Sequence, residues 1–302
     1  MHPEPITMYR RPQLLAAGFT DHELARMRRA GELTSVRRGV YLASPEPDDP
    51  DGRHRLQVRA AMTELATGAV VSHASAALLH GLPTWRMPLS RVQVTRARRS
   101  GGRRDPRLHL RTAPLRRADI TTADGLPITS VARTVVDLAR SAPFESGVVT
   151  ADAALALGLL TSEDLEEALA RCKGWPGCPR ARRVVAFADG RSESVGESRS
   201  RLAIANAGLP EPVLQWDVRA AGGRLVGRVD FGWPDDGVVG EFDGRLKYGR
   251  TIIGDRDPGE VVFAEKLRED DLRAQGLTVI RWTWDDLAKF APIAARLDRA
   301  LA

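Results

Sequence analysis

The sequence predicts a multi-domain α/β protein, and three observations carry that expectation. The chain has 302 residues, 43% hydrophobic and 28% charged, enough for more than one globular core. Short alternating β-like runs recur between helical segments along its length. A Pro- and Asp-rich stretch, Pro45 to Gly52, marks a first boundary. The expected parts are residues 1–50, 51–190 and 191–302.

Composition narrows the function classes. The formal net charge is +6, which points towards a polyanionic partner. The two cysteines, Cys172 and Cys178, have no second pair to complete a zinc site and are too few for a disulfide scaffold. No apolar run reaches the roughly 18 residues of a membrane helix. Met1 to Arg10 lacks a signal-peptide core, so a cytoplasmic protein with no membrane association is expected.

In the first part, Gln13–Gly18 ends a short helix. Thr20 and Glu23 have capping-box spacing and open a second helix that stops at Gly31. Its polar face carries Arg26, Arg28 and Arg29. Leu33–Leu42 alternates around Arg37-Arg38-Gly39 and predicts a β-hairpin. Helix, capped Arg-bearing helix and basic hairpin is the order of a winged helix-turn-helix. There the second helix enters the major groove and the wing touches phosphate. Arg26, Arg28, Arg29, Arg37 and Arg38 are the candidate DNA contacts.

The middle part begins with a helix expected over residues 53–66 and a short apolar run, Ala69–Val71. Ser72 is placed to cap a helix ended by Gly81. His73 and His80 share a helical face, but without a third ligand they suit packing better than metal. Arg86 to Arg117 holds eleven arginines and one acidic residue, Asp105. Two strand-like runs, Val92–Thr95 and Leu108–Thr112, flank a basic loop. Its Arg98, Arg99, Arg103 and Arg104 are further candidate phosphate contacts. Gly125–Arg140 predicts a strand, a Ser130 cap and an amphipathic helix with Arg133 and Asp137 four apart. Residues 148–189 read as a helical connector, capped at Thr161 and broken at Trp175–Pro179.

The last part predicts helix, three strands, helix, strand, helix: an α/β sandwich. Its centre is a hairpin in which Leu225–Phe231 and Val238–Phe242 flank a Trp-Pro-Asp-Asp-Gly turn. Glu241 and Asp243 are two apart and share a strand face, with Phe242 opposite. With Asp230 they form a carboxylate cluster suited to a hard divalent cation.

Two resemblances extend these readings. The motifs G-F-T-D-H-E-L (18–24), S-V-R-R-G-V-Y-L (35–42), S-H-A-S-A-A-L-L-H-G-L (72–82) and P-I-T-S-V-A-R-T-V-V-D-L-A (127–139) resemble AbiEi-type antitoxins, over roughly the first half of the chain. That implies DNA binding and promoter autoregulation in a toxin–antitoxin or defence setting, with a toxin or a homodimer as protein partner. The last third resembles the PD-(D/E)XK nucleases, and more narrowly the relatives of very-short-patch-repair endonucleases. Glu197, V-D-F (229–231), G-E-F-D-G (240–244) and the segment from Glu265 to Arg281 carry the likeness.

The second resemblance implies a restriction-endonuclease-like fold and a Mg²⁺- or Mn²⁺-dependent endodeoxyribonuclease. Asp230, Glu241 and Glu197 would be its metal carboxylates, and Asp243 and Lys247 would complete the catalytic set. The family lysine two positions after the second carboxylate is replaced by Asp243. A cation from Lys247, Lys266 or Arg268 is the expected substitute. A non-catalytic antitoxin-like autoregulator is the alternative expectation.

Overall fold

The protein is described from a computed structural model over residues 7–65, 67–98, 100–244 and 267–302. Within these, two compact units separate. One runs up to Thr150 and adds Leu160–Val185; the other comprises Ala151–Leu159 and Ala186–Ala302. Helices and three sheets of three, six and four strands establish a multi-domain α/β protein.

The first unit opens with β1 (Met8–Arg10), α1 (Arg11–Ala16), α2 (Asp21–Arg29), β2 (Thr34–Arg37) and β3 (Val40–Leu42). The capping box forms: the Glu23 amide donates to Thr20 Oγ1 at 3.3 Å, and the Thr20 amide donates to Glu23 Oε2 at 2.8 Å. Gly39 turns the hairpin at φ +75°, a conformation glycine adopts at little cost. The β1 strand joins it in a sheet of order β1-β3-β2, which the short Met8–Arg10 run did not announce.

Next come α3 (Pro50–Glu64), β4 (Ala69–Val71), α4 (His73–Leu79), β5 (Val92–Arg96), β6 (Arg103–Arg104), β7 (Leu108–Thr112), β8 (Ile120–Ala123), β9 (Leu126–Thr129) and α5 (Val131–Ser141). The helix α3 starts three residues before the expected position. Asp49 caps it by accepting the Gly52 amide at 2.6 Å, so the boundary stretch is partly a helix start. Ser72 does not cap α4 with its side chain; its Oγ accepts from Thr95 Oγ1 at 2.8 Å instead. The runs expected to flank a loop, β5 and β7, pair in parallel, and Arg103-Arg104 form an edge strand on β7. Val58, Val71, Val92, Val94, Leu108 and Ile128 fill the core over this six-stranded sheet.

Arg133 and Asp137 on α5 do pair, at 2.8 Å and both buried. Arg133 also meets buried Asp119 at 3.2 Å, which offsets the cost of burying the guanidinium. The helices α6 (Phe144–Ala156), α7 (Ser162–Arg171) and α8 (Cys178–Phe187) follow.

The second unit contains α9 (Val195–Asn206), β10 (Val213–Arg219), β11 (Leu225–Trp233), β12 (Val238–Asp243), a helix α10 described over 267–274, β13 (Thr278–Thr283), α11 (Trp284–Ala288) and α12 (Ala291–Ala300). The sheet order is β10-β11-β12-β13, antiparallel except for the parallel β12–β13 pair. The hairpin forms with Trp233 inside the strand and Pro234–Asp236 as a 3-10 turn. The single last helix expected from the sequence is broken into α11 and α12 around Lys289 and Phe290. Trp282 is wholly buried, stacked on Phe231 at 5.3 Å, with its indole N–H donating to Ser200 Oγ at 2.7 Å. Trp284 starts α11 and packs edge-on to Phe242 at 4.9 Å.

Candidate functional site: an acid–guanidinium cleft on the four-stranded sheet

Two close contacts set the cleft. On α9, Gly196 lies against Phe242 of β12; a Cβ there would sit 1.8 Å from the phenyl ring. That approach holds the first turn of α9 on the strand bearing Glu241. Ser194 accepts the Glu197 amide at 3.1 Å and starts the helix. On β10, Gln215 has φ +51°, a left-handed conformation costly for a non-glycine residue. Leu214 and Phe231 pack into one apolar cluster while Trp216 and Val229 pack against the other. The backbone at Gln215 thus breaks simple strand alternation next to the site. Its amide Nε2 donates to Glu197 Oε2 at 2.8 Å.

The β11–β12 pairing runs from Trp233↔Val238 to Phe231↔Gly240. Beyond it, Asp230 Oδ2 accepts the Phe242 amide at 2.8 Å, so a carboxylate takes the place of a backbone carbonyl. Asp230, Glu241 and Asp243 line a cleft of about 190 Å³ together with Arg228, Arg268 and Arg281. Glu241 and Asp243, expected on one strand face, both line the cleft; Phe242 between them borders it too and packs against the apolar core. Glu197 stands beside this cleft; its Oε2 also accepts the Glu193 amide at 2.9 Å. Burial pushes the Asp230 carboxyl up to about 7, helped by the negative charges of Glu197 and Glu241; the Phe242 N–H and Arg268 oppose the rise.

Glu241 is buried and both its oxygens are held. Arg268 donates to Oε1 at 2.6 Å, and Arg281 contacts Oε2 at 2.8 Å. Arg268 also donates to the Arg228 carbonyl at 2.9 Å, and Arg281 meets Glu269 at 3.2 Å. Arg228 pairs with Glu193. Of the three substitute cations expected, Arg268 reaches the site; Lys247 and Lys266 lie outside the described residues. Arg281 was missed because only the parallel register Glu241↔Arg281 brings it beside a residue forty positions away. Gln215 and Arg228 were missed for the same reason: strand pairing places them.

The donors suit a hard divalent cation in kind. They are carboxylate oxygens, and the burial that raises Asp230, with the repulsion of Glu197 and Glu241 behind it, is a penalty on its charged form that a bound dication would offset. Among the described residues, no three His, Cys, Asp or Glu side chains are already arranged to hold a metal ion.

The candidate DNA contacts belong to the first unit. Arg26, Arg28 and Arg29 are exposed at the end of α2. Arg38 is exposed, whereas Arg37 is half-buried and bound to Glu64 at 2.7 Å. Arg37 and Arg38 share a groove of about 420 Å³ with Asp105, Pro106 and Arg107, so the β2–β3 hairpin meets the segment after β6. Arg98, Arg103 and Arg104 are exposed, with Arg103 3.3 Å from Asp105; Arg99 is outside the described residues. Burial lowers His109 to about 4, and the positive charges of Arg111, Arg104 and Arg91 add to the drop. The paired histidines have packing roles: His80 Nε2 bonds the Thr129 carbonyl at 2.7 Å, and His73 Nδ1 lies 3.0 Å from Ser72 Oγ.

The fold and cleft thus define a multi-domain α/β protein with a basic first unit and an acid–guanidinium cleft in the second. No protein-family model matches the chain. The uncharacterized proteins Rv2248 of Mycobacterium tuberculosis (strain ATCC 25618 / H37Rv) and MT2308 of Mycobacterium tuberculosis (strain CDC 1551 / Oshkosh) are each 32% identical over 277 residues, spanning 89% of this chain and 94% of the relative. The chain belongs to the family of these mycobacterial proteins. A crystal structure of the RV2827C protein from Mycobacterium tuberculosis is similar at TM-score 0.42 and 19% identity, covering 72% of this chain and 85% of that one. No helix of the described residues is long and apolar enough to cross a membrane.

Proposed function

We propose that the protein binds DNA through its first unit and hydrolyses phosphodiesters at the cleft of its second, as a Mg²⁺- or Mn²⁺-dependent endonuclease. The observation that carries this reading is the meeting of Asp230, Glu241 and Asp243 with Arg228, Arg268 and Arg281 in one cleft. Carboxylates are what a divalent cation needs, and guanidiniums match a phosphate in shape and charge. The cation, held by Asp230 and Glu241 with Glu197 beside them, would activate a water and neutralise charge on the scissile phosphate. The protein's own residues do the remaining work. Gln215 and the Glu193 amide fix Glu197, and the Phe242 amide fixes Asp230. Asp243 and Lys247 are assigned to the catalytic set with them. The arginines orient the phosphodiester. On the first unit, Arg26, Arg28, Arg29, Arg38, Arg98, Arg103 and Arg104 supply sequence-independent phosphate contacts whose affinity falls with salt.

A second reading is favoured by one observation: both Glu241 oxygens are already engaged by arginine. In that reading the second unit is a binding module, and the protein is a non-catalytic autoregulator of the antitoxin kind with a toxin partner or a homodimer. Incubation with supercoiled, linear and single-stranded DNA, with Mg²⁺, Mn²⁺ or EDTA, separates the two. The nuclease reading expects cleavage that EDTA and Glu241→Ala abolish. DNA binding without any metal-dependent product favours the regulator.

A further inference from the structure

The two arginines on Glu241 have a consequence for how the cleft is loaded. Oε1 receives Arg268 and Oε2 receives Arg281. Each oxygen keeps a second lone pair, but a cation sharing it would stand directly against a guanidinium's positive charge, so loading the cation favours displacement of an arginine. The two guanidiniums come from different elements, α10 and β13, and converge on one buried carboxylate. Each is planar, permanently charged and carries five N–H donors in a fork that fits a phosphate's oxygens as well as a carboxylate's. Both are only part-buried, 31% and 29% exposed, against 9% for the Glu241 side chain. They are therefore the accessible members of the cluster, and the carboxylate is the protected one. An anion entering the cleft meets arginine before it meets Glu241.

We infer that Arg268 and Arg281 form a phosphodiester subsite whose occupation frees Glu241, so that phosphodiester and divalent cation bind cooperatively and the cation binds poorly alone. This rests on the reading of the cleft as a cation and phosphodiester site. Without anion, the guanidiniums occupy the carboxylate and exclude the cation. When a phosphodiester draws one guanidinium away, a Glu241 oxygen becomes available as a hard ligand. The same exchange answers the substitution at Asp243: the positive charge of the missing lysine is supplied by arginines stored on the acid until substrate arrives. Linkage requires the effect to be reciprocal, so the cation must tighten phosphodiester binding by the same factor.

The test is Mn²⁺ affinity of the full chain, read by electron paramagnetic resonance. It is measured with and without a thymidine dinucleotide bearing one phosphodiester, and with the same dinucleotide bearing a neutral methylphosphonate. For the wild-type chain the phosphodiester is expected to tighten Mn²⁺ binding about tenfold, and the methylphosphonate to leave it unchanged. Arg281→Met and, separately, Arg268→Met should bind Mn²⁺ more tightly without dinucleotide and lose most of the coupling; Arg281→Lys should restore part of it. Mn²⁺ affinity indifferent to the phosphodiester overturns the inference while leaving the cation reading in place. Weaker Mn²⁺ binding in both folded methionine variants overturns it too, since the arginines would then only be scaffolding. No Mn²⁺ binding in any form overturns both.

Discussion

Asp230 shows how one buried carboxyl group ties the stability of the cleft to pH. Burial and the charges of Glu197 and Glu241 hold it at about 7, above the ordinary carboxyl range. A raised carboxyl contributes stability that is fully present below about pH 4 and is lost as pH rises through about 7. In EDTA, the melting temperature of the second unit should therefore fall across that window. Asp230→Asn keeps an oxygen for the Phe242 amide but cannot ionise. Its melting temperature should exceed that of the wild-type chain at about pH 8 and lose this advantage at about pH 4. A difference independent of pH between the two proteins would rule this out. Gln215 makes a second prediction. Gln215→Ala and Gln215→Gly both remove the amide from Glu197, but only glycine relaxes the backbone at φ +51°. Urea unfolding should find the glycine variant the more stable of the two by about 1 kcal/mol; equal stabilities would deny that strain. At this scale, Asp230, Glu241 and Asp243 were legible because strand periodicity alone puts Glu241 and Asp243 on one face. Arg281 and Gln215 were not, because no local pattern encodes which strands become neighbours or in what register.

The contact of α9 with β12 positions Glu197. Its tightest point is Gly196 on the Phe242 ring, with no room for a methyl group. Gly196→Ala should cost about 1–3 kcal/mol by overpacking and should also displace Glu197, lowering Mn²⁺ affinity. Adding Phe242→Leu should recover part of the stability, so that the double variant is less destabilised than the sum of the singles. Strict additivity in urea unfolding would contradict this account. Elements governed by local signals were readable. The Thr20–Glu23 and Thr161–Asp164 boxes formed as spaced, and Gly39 turned the hairpin. Elements governed by competition were not. Asp49 drew α3 back into a stretch that looked like linker, because its carboxylate caps the Gly52 amide. Ser72 stays at the N-cap of α4, but its hydroxyl accepts from buried Thr95 and makes no cap bond to the helix. The parallel pairing of β5 with β7 depends on a crossover that period-2 alternation does not reveal.

At the scale of the molecule, the chain divides its chemistry between a unit rich in exposed arginine and a unit with an acid–guanidinium cleft. The α/β class followed from alternating runs among helices and needed no long-range information. The make-up of the cleft did need it, because Glu241 pairs with arginines 27 and 40 positions away (268 − 241 and 281 − 241). In the proposed function, this cleft cuts DNA with the help of a divalent cation. The most direct measurement is nicking of supercoiled plasmid by the full wild-type chain and by Glu241→Ala, in Mn²⁺ and in EDTA, with plasmid binding measured in parallel. Nicking by the wild-type chain is expected in Mn²⁺ alone, and is lost in Glu241→Ala with plasmid binding retained. Plasmid binding without nicking, or nicking that persists in Glu241→Ala, would contradict that function.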